Sequence, residues 1–172
     1  IDIIPDKRLG LDSGGAVFTD SNKNMINSIN GSVSRSNDNG VTWTAFAALS
    51  EIRANLIRVT SDDVIFFSNK DNKGILYRSA PPYSNYTQVL NITSGYTGCY
   101  FLDSNMIEHP DGELFVGSYQ NERIIRIYKS VDAGLNWTLI YSLPDTYQHV
   151  HALFVDVNVT PIAIYAGVDG GG

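Results

Sequence analysis

Short runs in which apolar and polar residues alternate recur along the chain, separated by clusters of Gly, Asn, Asp, Ser and Pro. Alternation with a period of two predicts half-buried β-strands, because successive side chains leave opposite faces of a strand. The runs fall into groups of four. The first group comprises Gly15 to Ser21, Asn24 to Ile29, Ser32 to Ser36 and Thr42 to Leu49. The second comprises Asn55 to Thr60, Val64 to Ser68, Ile75 to Ser79 and Tyr86 to Ile92. The third comprises Asn105 to His109, Glu113 to Tyr119, Ile124 to Ser130 and Trp137 to Leu143, and a fourth begins with Val150 to Asp156 and Ile162 to Val168.

An internal repeat sets the period of these groups. Ser36-Asn37-Asp38-Asn39-Gly40-Val41-Thr42-Trp43 and Ser130-Val131-Asp132-Ala133-Gly134-Leu135-Asn136-Trp137 both read Ser-x-Asp-x-Gly-x-x-Trp. Their 94-residue offset is two periods of about 47, the length of one four-stranded propeller blade. A worn copy lies midway, where Arg78-Ser79-Ala80 follows an apolar run, Pro81-Pro82 makes the turn and Tyr86 stands at the Trp position. The octapeptide suits a hairpin. Its Asp can accept hydrogen bonds from nearby backbone N–H groups, its Gly supplies a positive φ, and its Trp opens the next strand with a ring to bury. Ser36, Asp38, Gly40, Trp43, Ser130, Asp132, Gly134 and Trp137 are therefore read as structural. The expected fold is all-β: a β-propeller of four-stranded antiparallel blades, with about three and a half blades present. The single domain spans 1–172, with blades near 14–49, 55–93, 102–143 and 149–172. The fourth is incomplete, so further blades of the same protein, or other copies of the chain, are expected to complete it.

Composition narrows the partners. The 172 residues carry a formal charge of -6, with charged residues at 17% and aromatics at 11%. A nucleic-acid partner needs a basic surface that this chain lacks, and an anionic membrane is disfavoured for the same reason. No run approaches the ~20 apolar residues of a membrane span. The lone Cys99 excludes an intrachain disulfide and reads as a small buried hydrophobe. The chain opens Ile1-Asp2-Ile3-Ile4-Pro5 without a recognisable signal peptide, as a mature or trimmed protein would. Five Asn-x-Ser/Thr sequons, at Asn30, Asn85, Asn91, Asn136 and Asn158, point to an extracellular or cell-surface location.

The paired octapeptides and the blade-length period resemble those of the BNR-repeat (Asp-box) propeller superfamily, which includes sialidases, sortilin-type receptor propellers and xyloglucan-cleaving propellers. Ala152-Leu153-Phe154-Val155-Asp156 followed by Ala163-Ile164-Tyr165-Ala166-Gly167 is similar to blade openings of that group. The resemblance implies a carbohydrate-facing propeller. A sialidase within it would need an arginine triad for the substrate carboxylate, a Tyr activated by a Glu, and an Asp acid/base. Its Arg-Ile-Pro motif is absent here, and Arg53-Ala54-Asn55-Leu56-Ile57 is a loose echo of it.

In a propeller, ligands bind where the chain enters the innermost strands. Leu11-Asp12-Ser13 and Leu102-Asp103-Ser104 echo one another at such places, so Asp12 and Asp103 are candidate paired carboxylates for glycosidic acid/base chemistry, or turn caps. The other candidate ligand contacts are Arg53, Asn55, Arg58, Glu108, Tyr147, His149 and His151. His149 and His151 are two apart on a strand and so share a side. Without further ligands nearby in sequence they are read as channel lining, and no metal or other cofactor is assigned. The expected function is recognition of a glycan or protein ligand by an extracellular propeller. The alternative is a fragment of a sialidase-like or xyloglucanase-like glycoside hydrolase.

Overall fold

The computed structural model describes residues 17–29, 31–50, 54–69, 71–93, 99–120, 126–142, 147–159 and 163–170. They form an all-β structure of four-stranded antiparallel sheets, joined by two short 3-10 turns at Ala47–Leu49 and Asp103–Asn105. The first sheet holds β1 (Phe18–Thr19), β2 (Met25–Ile29), β3 (Ser32–Ser36) and β4 (Thr44–Ala45), in that order. The second holds β5 (Ala54–Val59), β6 (Ile65–Asn69), β7 (Asn72–Ser79) and β8 (Thr87–Asn91). Beyond it lies β9 (Cys99–Tyr100). The third sheet is made of β10 (Met106–Glu108), β11 (Leu114–Gly117), β13 (Arg126–Ser130) and β14 (Thr138–Ser142), with β12 (Tyr119–Gln120) branching off after β11.

These sheets stack face to face, and the alternation along their strands shows why. On β6, Ile65 and Phe67 enter a core shared with Ile26 and Val33 of the first sheet. Phe66, between them, enters a second core with Leu114, Val116 and Tyr128 of the third sheet. On β11 the pattern repeats one sheet later: Leu114 and Val116 face back, while Phe115 faces forward to Val150 and Leu153. Sheets two and three thus bury both faces, which a two-layer sandwich does not do. The first strands converge as well. β10 lies against β5 and against β15 (Tyr147–Asp156), and the Asp103–Asn105 turn packs on both. Radial sheets with clustered first strands are the propeller arrangement expected from the sequence.

The Ser-x-Asp-x-Gly-x-x-Trp segments are hairpins of matching geometry. Ser36 Oγ donates to Asp38 Oδ1 at 2.7 Å and accepts from Gly40 N at 2.8 Å. Asp38 also accepts from Thr42 N at 2.8 Å and Thr42 Oγ at 2.6 Å, and Trp43 Nε1 donates to Gly40 O at 3.0 Å. In the second copy Ser130 and Gly134 repeat the first two bonds, Asn136 takes the place of Thr42, and Trp137 Nε1 donates to Gly134 O. The two residues before the last turn of each hairpin have positive φ: Asn39 and Gly40 in one, Ala133 and Gly134 in the other. At the worn copy Ser79 Oγ donates to Asn85 O, and Tyr86 sets its ring edge against Tyr77 and Phe67.

The fourth sheet departs from expectation. β15 pairs with β16 (Ala163–Gly170), but the sheet continues past β15 through β12 to β9. The run read as one strand from Glu113 to Tyr119 breaks at Ser118. There Ser118 N donates to Arg126 O, Ser118 Oγ accepts from Arg126 N, and Ser118 O accepts from Val150 N. The end of the third sheet's second strand is thereby handed to the fourth sheet.

Candidate functional site

The handover at Ser118 builds an aromatic cluster. Tyr119 stands opposite His149 on one side and Tyr100 on the other. The Tyr119 ring stacks on His149, with centroids 4.0 Å apart and planes at 15°. His151 meets Tyr119 edge-on at 5.5 Å, and Tyr100 lies 6.0 Å from Tyr119. The two imidazoles are 5.6 Å apart, as their i, i+2 spacing predicts, although the β15–β16 register shifts on either side of Val150. His151 is exposed, while Tyr100, Tyr119 and His149 are half-buried. Ser104 Oγ donates to His151 O at 2.7 Å and ties the Asp103–Asn105 turn to the same place. The cluster therefore sits beside the turn that leads into β10 and near the start of β15, the end of the sheets that the sequence reading expects to form a propeller's mouth.

The other seven sequence candidates lie elsewhere or outside the described residues. Asp12 and Arg53 are outside them, as are the side chains of Asp103 and Tyr147; the backbone of Asp103 opens the 3-10 turn, and that of Tyr147 pairs with Gly170. Asn55 is half-buried opposite Ser68 on β6. Arg58 places its guanidinium 5.7 Å from the Phe18 ring centre. Glu108 accepts from Ser61 N at 2.8 Å and Ser61 Oγ at 2.5 Å, tying sheet three to sheet two at the end of β10 away from the mouth. Ser21 and Asp63 make the corresponding tie between sheets one and two, at 2.7 and 2.6 Å. Of the candidates, His149 and His151 come together. Tyr100 and Tyr119 were missed because nothing local marks them: Tyr119 reads as the last residue of a strand, and only its pairing with β9 and β15 gives it a role.

A second group of ionisable side chains lies in the β10–β11 turn. His109, Asp111 and Glu113 bring their ligand-type atoms within 4.8 Å of one another. His109 Nδ1 is 2.6 Å from Asp111 Oδ1, and Lys129 Nζ is 2.6 Å from Glu113 Oε1. Asp111 is held below the usual carboxylate range, first by the Glu113 N–H and then by His109. These donors are of the type that binds a divalent cation, but each acid already has a basic neighbour. The hairpin aspartates are held lower still. Asp38 is lowered to about 2, first by the Thr42 hydroxyl, and Asp132 to about 2, first by the Asn136 backbone N–H. Both carboxylates are fully engaged within their turns, which leaves them a structural role.

No protein-family model matches the chain, and no curated protein does. Similar solved structures include a protein of unknown function from Dyadobacter fermentans, at 12% identity and a TM-score of 0.50, covering 90% of this chain and 59% of that one. They also include two intramolecular trans-sialidases. The enzyme from Ruminococcus gnavus, in complex with oseltamivir carboxylate, is 18% identical with a TM-score of 0.42, over 70% of this chain and 26% of its own. The leech enzyme, complexed with 2,7-anhydro-Neu5Ac, is 14% identical with a TM-score of 0.44, over 86% and 30%. The chain thus spans less than two thirds of each of these proteins, and at such identities the Dyadobacter likeness concerns the fold alone.

Proposed function

We propose that this chain is part of an extracellular recognition propeller of the Asp-box kind, binding a glycan on the Tyr119–His149 stack at the channel mouth. The observation that carries the reading is that stack, flanked by Tyr100 and His151. Polar aromatics that keep part of their surface open combine an apolar face for ring contact with N–H and O–H groups for orientation, the usual chemistry of ligand pockets. The hydrogen bonding of Asp38 and Asp132 supports the Asp-box assignment, since each acid braces its own turn. The extracellular location is supported by the exposed sequon residues Asn85, Asn91, Asn136 and Asn158. Glycan-array binding of the wild-type chain and of Tyr119→Ala tests the reading. Binding lost in a variant that keeps its β-sheet circular dichroism is the expected result. Binding that persists unchanged in Tyr119→Ala rejects the stack as the site. Turnover of a fluorogenic sialoside or of xyloglucan would replace recognition with glycoside hydrolysis.

A further inference from the structure

The turn between the first and second strands is built alike in the first three sheets. Asp20 N donates to Asn24 O and Lys23 N to Asp20 O in sheet one, and Thr60 N to Val64 O and Asp63 N to Thr60 O in sheet two. His109 N donates to Glu113 O and Gly112 N to His109 O in sheet three. In sheets one and two the first side chain braces the turn: Asp20 Oδ1 accepts from Asn24 N at 2.8 Å, and Thr60 Oγ accepts from Val64 N at 3.1 Å. In sheet three the corresponding donor, Glu113 N, goes to Asp111 Oδ1 at 3.1 Å instead. His109 is thereby released from bracing. Asp111 N is 3.5 Å from His109 Nδ1, at the outer limit of a hydrogen bond, whereas Asp111 Oδ1 is 2.6 Å from it. An imidazole nitrogen and a carboxylate oxygen that close must share a proton or a metal ion, since each otherwise presents a lone pair to the other.

We propose that His109, Asp111 and Glu113 form a binding site for a divalent transition-metal ion of the zinc type. One imidazole nitrogen with two carboxylate oxygens is a zinc donor set, while calcium and magnesium favour oxygen alone. Bonds of about 2.0–2.2 Å put neighbouring ligands on a tetrahedral ion about 3.4 Å apart. That separation falls between the 2.6 Å His109–Asp111 contact and the 4.8 Å span of the three ligand-type atoms, so small side-chain rotations close the site. The imidazole is its fixed member. It is 12% exposed, meets the Phe115 ring edge-on at 6.4 Å, and follows Glu108, which Ser61 holds from sheet two. Asp111, 55% exposed, is the adjustable member and leaves water access to the fourth position on the ion. Lys129 Nζ, 2.6 Å from Glu113 Oε1, is the cation that competes for the third ligand. It also lies 5.5 Å from the Phe115 ring centre, a contact it can keep after releasing Glu113.

Isothermal titration calorimetry with zinc chloride on the intact, untagged chain tests the site. A single equivalent of zinc is expected to bind and to raise the thermal midpoint, as any ligand of the folded state alone does. Calcium and magnesium at the same concentration are expected not to bind. His109→Ala is expected to weaken zinc binding by about tenfold or more, since loss of even an outer-shell partner of a metal costs that much. Asp111→Asn, which keeps an oxygen for Glu113 N and so keeps the turn, is expected to weaken it as well. Lys129→Met is expected to tighten it by removing the competing ammonium. His151→Ala, at the other imidazole pair, serves as the control and is expected to bind zinc as the wild type does. A wild type that binds no zinc overturns the proposal, as does binding unchanged in His109→Ala or Asp111→Asn. Binding lost in His151→Ala moves the ion to the mouth and overturns it too, and calcium bound as tightly as zinc overturns the choice of ion.

Discussion

The hairpin Ser130–Trp137 and the mouth cluster around Tyr119 are built on opposite principles. In the hairpin nearly every polar bond closes within four residues, from Ser130 to Gly134 and from Asp132 to Asn136. Local bonds of this kind follow from residue types at fixed spacing. The mouth instead joins Tyr100, Tyr119, His149 and His151 through β-pairing between segments distant in sequence. Its geometry is a by-product of how sheets three and four meet, so small changes in that junction can re-aim it without touching the hairpins. The first region is specified by residues close in sequence, and the second by how distant strands meet.

Removing Phe66 tests the structural half of this contrast most severely. The ring has no solvent exposure and holds sheet two against Gly134 and Trp137 of sheet three. Phe66→Ala is expected to cost about 3–5 kcal/mol, read as a fall in the chemical-denaturation midpoint. A cost below about 1 kcal/mol would mean that the sheets do not depend on one another. Gly134→Ala approaches the same contact from the other side. A Cβ would collide with the Phe66 ring, and φ is +79 there, so a loss of about 3 kcal/mol is expected on the same measurement.

The contrast also explains what could be read before the fold was known. The hairpins, the four-strand grouping and the all-β class were legible because each rests on local spacing or on alternation. Ser32–Ser36 matches its sequence-based bounds, and Thr42 to Leu49 shortened to Thr44–Ala45 because the chain turns into the 3-10 segment Ala47–Leu49. At the mouth, His149 and His151 were legible through their i, i+2 spacing. Tyr119 was not, because its role depends on the break at Ser118, which is set by hydrogen bonds to Arg126 and Val150 in other strands. Glu108 is a candidate ligand contact in the sequence, but its carboxylate accepts from Ser61 and serves the join between sheets two and three.

Acid distinguishes the two regions in another way. Asp38 and Asp132 titrate at about 2 in the folded chain, below the ordinary 3.8, because their turns donate hydrogen bonds to the charged form. A group whose acidity is strengthened by folding stabilises the fold above its unfolded value, and that contribution is lost as pH falls towards the folded one. The thermal midpoint is therefore expected to drop between about pH 4 and pH 2. The double variant Asp38→Asn, Asp132→Asn should be less stable at neutral pH and show a shallower drop over that window. An equal drop in the double variant would place the acid sensitivity elsewhere.

The smallest expected effect on stability belongs to the mouth. Tyr119 is half-buried, and its main ring partner is His149, itself half-buried. Truncating it removes a stack at the surface end of a two-residue strand, while the backbone pairing of β12 with β9 and β15 stays in place. Tyr119→Ala is therefore expected to cost no more than about 1 kcal/mol in chemical denaturation, within the range of aromatic pair contributions. A loss comparable to that of Phe66→Ala would dissolve the distinction, because the ring would then be holding sheets three and four together. A small loss of stability accompanied by loss of glycan binding would show that the same residue is dispensable for the fold and required at the mouth, the combination expected of a recognition surface carried on an independently stable scaffold.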